Sequence, residues 1–411
     1  MNVKDDSVIL VKQSARRRQI VIMKIKRLII DDVAGINHLE LSFNDSLNVI
    51  CGANGIGKTT VLDIIADAFL IATNSKLKRN AKSDAGKYYI EIENQEQMRS
   101  KTIEITSFQP DKDEYRNGWY NDIKELMSFG INRNIRYSKL SAVASDPKRE
   151  NYMMANIAKE GISAEDIKNW FVNRYLFVDK KDSLANEQVE NYNLAIQTFS
   201  ILDETVSFKT VNAQSFDIML ETQKGDVYFE YLSSGYKSCI YILLGIIKEI
   251  EFRYMSSPIN VKDFSGVILI DEIDLHLHPI WQVQLISTLK IIFPNVQFIL
   301  TTHSPCILQS LHADEIIALG NDEKGRTIRK DLHLGRYGLQ GWTLEEILKN
   351  IMEMPTTTSK LYQDTLNAFD EAMNNEDREG ILEQYNLLKE MLHPDNPLRR
   401  LLAIQVAQWE D

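Results

Sequence analysis

The spacing of apolar residues predicts strands near the start of the chain. Residues 24–30 mix aliphatic and basic side chains, residues 38–43 alternate between polar and apolar ones, and a short segment with Gly35 joins them. Similar stretches predict strands at 88–93, 102–108, 206–211, 217–220, 227–231 and 316–319, with a hairpin-type turn at 321–325. The pattern therefore indicates a protein with substantial β-structure in both halves.

Other apolar runs do not alternate, and these predict buried strands. The run at 266–270 is typical of a strand in a parallel sheet, and the runs at 47–51 and 296–300 are also strand-like. Helical spacing of apolar residues follows or precedes them, at 61–69, 240–250 and 281–291. The combination predicts an α/β fold, with a mixed sheet flanked by helices.

Two regions differ from this pattern. Residues 110–200 carry many aromatic residues and little regularity, although Ser163 has the position of a helix cap for a helix running to about Tyr175. Since no heptads are sustained between 75 and 230, we expect a compact, partly helical insertion rather than a long coiled coil. The region from about 340 is predicted to be helical, with a break at Pro355 and a last helix at 398–409.

Composition describes an ordinary soluble globular protein that carries an acidic tail. Of 411 residues, 44% are hydrophobic and 26% charged, no apolar run approaches a membrane span, and the charged N-terminus lacks signal-peptide features. The single cysteines and the absence of targeting signals predict a cytoplasmic location without membrane contact. The net charge is −11, of which residues 340–411 contribute −8. Neither residues 1–339 nor the acidic tail favours bulk attraction to nucleic acid. The basic triplet at 16–18 is either a phosphate contact or simply solvated.

Residues 52–59 carry the clearest chemistry, because they fit the pattern G-x-x-x-x-G-K-[ST] between a predicted strand and a predicted helix. Such a loop turns its backbone N–H groups towards nucleotide phosphates at a helix N-terminus. The alternative is a glycine-rich turn that precedes a helix without binding a nucleotide. Lys58 would meet the phosphates, and the Thr59 hydroxyl would bind Mg²⁺. We therefore expect ATP and Mg²⁺ as cofactors, with the nucleotide held by Asn54, Gly55, Gly57, Lys58, Thr59 and Thr60.

Polar residues end two further predicted strands. Asp271 and Glu272 follow the run at 266–270, where a phosphate-loop ATPase would use the first for Mg²⁺ and the second to polarise the attacking water. His303 follows the run at 296–300 and could contact the γ-phosphate or the water. The alternatives are an acid pair that caps a turn and a structural histidine. His276 and His278 do not have the spacing or companion ligands of a metal site.

The stretch Ser233-Ser234-Gly235 precedes the helix at 240–250 and is either a simple helix cap or an anion site. Together with the phosphate loop, the acid pair and the terminal histidine, it resembles the ATP-binding-cassette ATPases of the SMC, RecF and overcoming-lysogenization-defect type. That resemblance covers about residues 23–320. The residues at 271–282 and 301–305, with tail stretches at 344–348 and 392–399, resemble more narrowly the PtuA ATPase family of the Septu anti-phage systems, which is also found as a retron effector.

The resemblance implies roles for the matched residues. It makes Glu272 the catalytic base, His303 a switch histidine, and residues 233–235 a signature loop that reaches the nucleotide of an opposing subunit in an ATP-dependent homodimer. Tyr236 and Lys237 depart from the transporter signature, which has a glutamine. The glutamine of the usual Q-loop has no clear counterpart, and Gln109 is a weak candidate.

The resemblance also implies partners. No TOPRIM-like acid cluster follows residue 320, so we expect nuclease activity from a separate HNH endonuclease subunit (PtuB-like), joined in retron systems by a reverse transcriptase and its RNA–DNA hybrid. The expected organisation is an N-terminal extension (1–22), an ATPase head (23–74 and 205–335), the insertion (75–204) and an acidic helical region (336–411). The helices of this last region either pack back on the head or dock a partner. The rival is a RecF-type repair ATPase that binds DNA through the local basic cluster Arg133, Arg136, Lys139, Lys148 and Arg149.

Overall fold

The computed structural model describes residues 22–73, 76–112, 114–133 and 137–409, with the side chains of residues 72 and 73 left out. The basic triplet at 16–18 and Arg136 lie outside these ranges. The strands are β1 (Met23–Val33), β2 (Ile36–Ser42), β3 (Leu47–Cys51), β4 (Ala72–Thr73), β5 (Gly86–Asn94), β6 (Gln97–Ile105), β7 (Glu114–Tyr115), β8 (Leu126–Phe129), β9 (Val206–Val211), β10 (Ile218–Thr222), β11 (Gly225–Tyr228), β12 (Val267–Ile270), β13 (Gln297–Thr301), β14 (Ile316–Asn321) and β15 (Thr327–Arg329).

Within the described residues, seven α-helices are interspersed among these strands and four more follow the last strand. They are α1 (Lys58–Asp67), α2 (Asn151–Glu160), α3 (Glu165–Phe177), α4 (Asn186–Leu202), α5 (Ser234–Arg253), α6 (Pro279–Ile292), α7 (Pro305–Gln309), α8 (Leu344–Asn350), α9 (Lys360–Asn374), α10 (Arg378–Met391) and α11 (Pro397–Val406).

The six-stranded sheet positions the functional residues. Its order is β15-β14-β3-β13-β12-β8, in which β14, β3, β13, β12 and β8 run parallel and β15 is antiparallel at one edge. The three apolar strands β3, β12 and β13 are buried along their whole length, as expected for a parallel sheet covered on both faces. Their carboxyl ends lie side by side, since Ile50 pairs with Thr301 and Leu300 with Ile270. The loops that follow these strands therefore meet at one edge of the sheet.

An antiparallel sheet with the order β2-β1-β5-β6 packs its apolar face into the same core. The sequence misplaced one of its strands, because β6 starts at Gln97 and not at residue 102. Gln95 and Glu96 form the two-residue turn between β5 and β6, with φ angles of 51° and 62°. Turns of this kind are usually marked by asparagine or glycine, so the Gln-Glu pair gave no signal of the hairpin.

The stretch at 110–200 contributes to the main sheet as well as to helices. β8 forms the edge strand beside β12, and the sequence did not reveal it. The helix predicted after Ser163 is confirmed as α3, but its N-cap residue is Ala164 and not Ser163. The Ser163 hydroxyl oxygen accepts the N–H of Glu165 at 3.2 Å just before the helix. The neighbouring helix α4 packs against α5 and was not predicted.

Buried ion pairs connect this stretch to α5, whose residues are almost all buried. The Arg149 guanidinium lies 2.7 Å from the Glu249 carboxylate, and Arg174 lies 2.6 Å from Glu251. Burial alone would raise the pKa of Glu249, but the adjacent cations Lys248, Arg149 and Arg253 lower it to about 2. Removing one member of such a pair costs about 3–5 kcal/mol, because the other charge stays buried without a partner. These contacts hold the insertion firmly against α5.

Residues 345–411 form a second compact unit with its own core. The tail helices predicted from the sequence are confirmed, including the break at Pro355 between α8 and α9 and the last helix α11. Within this unit α9 packs on α10, and α10 on α11. The buried core residues are Phe369, Ala372, Ile381, Tyr385, Leu388, Leu392, Leu402 and Val406. Within the described residues of both units, no helix combines the length and apolar character needed to span a bilayer.

Candidate functional site

The loop between β3 and α1 has a shape that requires glycine. Gly52, Gly55 and Gly57 have φ angles of 138°, 74° and 103°, in the region that residues with a Cβ rarely adopt. A Cβ on Gly52 would lie 2.2 Å from the carbonyl oxygen of Leu319, and one on Gly57 would lie 2.9 Å from Ile36. The loop can therefore approach β14 and β2 closely while it curves around the start of α1.

Lys58 is the first residue of α1, and its side chain folds back over the loop. Its ammonium group donates hydrogen bonds to the carbonyl oxygens of Gly52 at 3.0 Å and Ala53 at 2.8 Å. Burial lowers the pKa of Lys58, against the opposing influence of Cys51, Asp271 and other nearby acids. An anionic ligand in the loop would favour the protonated form. The loop, the helix N-terminus and this cation together form a phosphate-binding geometry.

Oxygen atoms from three segments converge beside the loop. The Thr59 hydroxyl lies 3.1 Å from each carboxylate oxygen of Asp271, and the Thr301 hydroxyl donates to the same carboxylate at 2.6 Å. Hydroxyl and carboxylate oxygens are the ligands that Mg²⁺ prefers, and it usually takes only one or two of them beside phosphate oxygens and water. Thr59 and Asp271 therefore fit a magnesium ion that is shared with a nucleotide.

Backbone hydrogen bonds hold Glu272 and His303 in place. The N–H of Glu272 donates to the Thr301 hydroxyl at 2.7 Å, and the N–H of His303 donates to the Asp274 carboxylate at 3.1 Å. Burial, and then the charge of Lys58, lower the pKa of His303, which favours a neutral imidazole. Both side chains line a cavity of about 660 Å³ together with Asn54, Gly55, Gly57, Lys58, Thr59, Thr60 and Thr301.

Sequence reasoning missed two residues of this site. Thr301 bridges the Asp271 carboxylate and the backbone of Glu272, and Asp274 also accepts the Thr302 hydroxyl at 2.6 Å. Both were visible in the sequence, one at the end of a predicted strand and one just after the acid pair. Their roles depend on contacts between segments almost thirty residues apart, which the sequence alone does not show.

The loop at 233–235 lies outside this cavity in the same chain. The Ser233 hydroxyl caps α5 by accepting the N–H of Tyr236 at 3.3 Å, while Ser233 and Ser234 remain exposed. Gly235 is buried, and a Cβ there would lie 3.3 Å from the carbonyl oxygen of His276. Ser234 lines a different cavity of about 1270 Å³. A single chain thus offers a phosphate loop and an exposed hydroxyl-rich helix start at separate cavities.

Several other candidate residues lie in environments that do not suit the roles considered for them from the sequence. Gln109 is exposed in a turn and does not line the phosphate-loop cavity. His278 caps α6, where its ring nitrogen accepts the N–H of Ile280 at 3.4 Å. In the basic cluster of the rival interpretation, Arg133 is 4% exposed and Arg149 is ion-paired with buried Glu249, so neither arginine is available to a nucleic-acid backbone.

The fold and this site define an ATPase of the phosphate-loop class. Residues 47–309 match the family described as "AAA domain, putative AbiEii toxin, Type IV TA system". Over 388 residues the chain is 42% identical to Septu protein PtuA of Bacillus thuringiensis, an alignment that covers 94% of this chain and 98% of that protein. The chain therefore belongs to the Septu PtuA family of ATPases, and the resemblance drawn from the sequence motifs is confirmed.

Two further similarities are more distant. The chain is 26% identical over 307 residues to the Retron Ec83 probable ATPase of Escherichia coli. This alignment covers 71% of this chain and 54% of that protein. A solved SMC head bound to the C-winged helix domain of ScpA covers 75% of the chain at 15% identity, with a TM-score of 0.45. The α/β ATPase head with its helical C-terminal region, expected from the sequence, is confirmed by the order of helices and strands and by the family match.

Proposed function

We propose that this ATPase is the regulatory subunit of an anti-phage defence complex, which dimerises around ATP and controls a separate HNH nuclease of a Septu or retron-type system. The observation that carries the proposal is the single cavity in which Lys58, Thr59, Glu272 and His303 meet. Three loops that follow adjacent parallel strands bring these side chains together. The arrangement suits hydrolysis of a nucleoside triphosphate better than any other reaction.

ATP would bind with its phosphates against the glycine-rich loop, where Lys58 and the backbone N–H groups contact the β- and γ-phosphates. Thr59 and Asp271 would hold Mg²⁺, which supplies charge neutralisation across the phosphate oxygens. Asn54, Gly55, Gly57 and Thr60 line the same cavity and would complete the contacts to the nucleotide. The backbone loop thus determines where the terminal phosphate lies relative to Glu272.

Glu272 would act as the general base for the attacking water. The water oxygen forms the new bond to the γ-phosphorus, the bond from this phosphorus to the ADP oxygen breaks, and Glu272 takes the proton of the water. The backbone N–H of His303 is held by Asp274, and His303 lines the same cavity, where a neutral imidazole would hydrogen-bond to the γ-phosphate or to the water. The two residues would therefore sense whether the terminal phosphate is present.

The exposed Ser233 and Ser234 support a site shared between two subunits. In the proposed homodimer, the start of α5 from one subunit faces the phosphate loop of the other, so that Ser234 and the helix N-terminus contact the γ-phosphate. Gly235 allows this loop to lie against the turn that carries His276. Two ATP molecules would then be enclosed between two heads, and hydrolysis would release the contact.

Control of a nuclease would need a surface for the partner. The region from 340 to the C-terminus carries 6 basic and 14 acidic residues, and residues 345–411 form a unit with its own core. We propose this acidic unit as the docking site for an HNH endonuclease subunit and, in a retron-type system, for the reverse transcriptase with its RNA–DNA hybrid. The rival function, direct DNA binding in repair, is weakened by the engagement of Arg133 and Arg149 inside the protein.

We expect the tagged protein, purified from its native host, to carry a small HNH nuclease with it. A variant that lacks residues 345–411 should lose this partner and still hydrolyse ATP, because the phosphate-loop site lies entirely in the first unit. The readouts are mass spectrometry of the purified complex and cleavage of DNA with and without the partner. If the intact protein alone binds duplex DNA with a steep salt dependence, the repair function replaces this proposal.

A further inference from the structure

Glu272 has a backbone conformation that needs support. Its φ angle is 47°, in the left-handed region that is unfavourable for a residue with a Cβ. Its side chain nevertheless has to point into the phosphate-loop cavity at the end of β12. Left-handed residues at functional sites persist only where surrounding contacts hold them.

The turn around Glu272 is held on one side by β13. The hydroxyl of Thr301 accepts the N–H of Glu272 at 2.7 Å, and the carbonyl oxygen of Thr301 accepts the N–H of Ile273 at 2.9 Å. These contacts pair the backbone N–H groups of Glu272 and Ile273. The carbonyl oxygens of Asp271 and Ile273, before and after Glu272, accept hydrogen bonds from a different residue.

Arg133 is that residue. Its guanidinium donates to the carbonyl oxygen of Asp271, which precedes Glu272, and to that of Ile273 at 3.3 Å, which follows it. A third bond, from Nε to the carbonyl oxygen of Gly130 at 3.1 Å, anchors the side chain to its own loop. The residue is 4% exposed. One planar, multivalent donor therefore spans the whole turn, which a lysine could not do with a single ammonium nitrogen.

The position of Arg133 follows from the sheet order. It lies in the loop after β8, the parallel strand next to β12, so this loop leaves the sheet at the same edge as the acid pair. The N–H of Asp271 donates to the carbonyl oxygen of Phe129 at 3.0 Å, which continues the pairing up to the loop. Both β8 and Arg133 belong to the insertion at 75–204. The insertion thus contacts the acid pair through the backbone of β8 and through the Arg133 side chain.

We propose that Arg133 is a positioning residue for ATP hydrolysis: its guanidinium clamps the turn that aims Glu272 at the attacking water. The inference rests on the proposed role of Glu272 as the general base. It assigns Arg133 an effect on turnover and no direct contact with ATP, since Arg133 does not line the phosphate-loop cavity. Loss of the clamp should misplace Glu272 while the contacts of Lys58 and Thr59 to the nucleotide persist.

The test compares Arg133→Ala, Arg133→Lys and Arg149→Met in the full chain. The Arg149 side chain is 9% exposed and pairs with Asp166 and Glu249. Among the described residues no hydrogen bond or ion pair joins it to the turn at 271–273, so Arg149→Met controls for a loss of stability alone. We expect Arg133→Ala to lower kcat about 10- to 100-fold, the scale of a small misplacement of a catalytic group. The dissociation constant for a non-hydrolysable ATP analogue should change by less than about threefold, since Lys58 and the loop are untouched.

Two further measurements distinguish a misplaced Glu272 from a loss of folded protein. Guanidinium ions at concentrations that do not unfold the protein should restore part of kcat in Arg133→Ala and have no such effect on Arg149→Met. Arg133→Lys, which is the variant best able to fold, should show an intermediate kcat. Wild-type turnover in both Arg133 variants overturns the inference, as does a parallel loss of turnover and analogue binding in proportion to unfolded protein. A wild-type chain without ATPase activity would instead overturn the proposed function.

Discussion

Replacing Glu272 with glutamine is expected to stop ATP hydrolysis and leave ATP binding intact. The amide keeps the size and the backbone contacts to Thr301, but it cannot accept the proton of the attacking water. Loss of a general base typically costs about 100- to 10,000-fold in rate, so turnover should fall by at least about 100-fold. The proposed contacts of Lys58 to phosphate and of Thr59 to Mg²⁺ do not involve this carboxylate, so the affinity for ATP should stay close to that of the wild type.

The same variant should accumulate the closed dimer. Because ATP is no longer consumed, two subunits would stay joined around it, and light scattering with Mg²⁺ and ATP should report twice the mass found without nucleotide. Glu323→Gln, in an exposed hairpin turn, is a matched control that should behave like the wild type. If Glu272→Gln hydrolyses ATP at the wild-type rate, Glu272 is not the general base.

Lys58→Ala should have the second large effect, which is a loss of affinity for ATP. The Lys58 ammonium group lies over the phosphate loop, and the variant would remove its proposed charge-assisted contact to the β- and γ-phosphates. Such contacts are worth about 1.5–3 kcal/mol, which corresponds to about a 10- to 100-fold weaker affinity for ATP. Calorimetric titration with ATP and Mg²⁺ measures this change directly.

The control for Lys58→Ala is Lys82→Ala, which removes an exposed lysine elsewhere in the same unit. It should bind ATP as the wild type does. Lys58→Arg should recover little affinity, because the buried space over the loop fits a compact ammonium and the guanidinium is broader. Undiminished ATP binding by Lys58→Ala would show that the glycine-rich loop is not the nucleotide site.

The parts of the site that could be predicted are those whose signal is local. The phosphate loop needs glycines at fixed spacing between a strand and a helix, and this requirement is written in consecutive residues. Asp271 and His303 each end an apolar strand, so the topology of a parallel sheet brings them to one edge. For these residues the sequence and the structure agree on placement, and their roles stay proposals.

The parts that could not be predicted depend on contacts between distant segments. β8 is a four-residue strand inside an irregular stretch, and its identity as a strand comes from pairing with β12. Arg133 was interpreted as part of a basic surface, whereas its hydrogen bonds join residues 140 positions apart in the chain. The turn at 95–96 lacks the residues that usually mark a hairpin. In each case tertiary contacts decide a structure that local propensity leaves open.

The proposed enclosure of ATP between two subunits is tested most directly by mixing two inactive variants. Lys58→Ala damages the phosphate loop, and Ser234→Arg places a bulky cation at the exposed start of α5, which should block the partner's nucleotide without disturbing the fold. In a mixed dimer both defects fall on one site, and the other site combines an intact loop with an intact Ser234. After subunit exchange about a quarter of the sites in a symmetric dimer population would be intact. We therefore expect the mixture to recover about a quarter of wild-type ATP turnover, while each variant alone is inactive; a mixture that stays as inactive as its components would contradict the shared site.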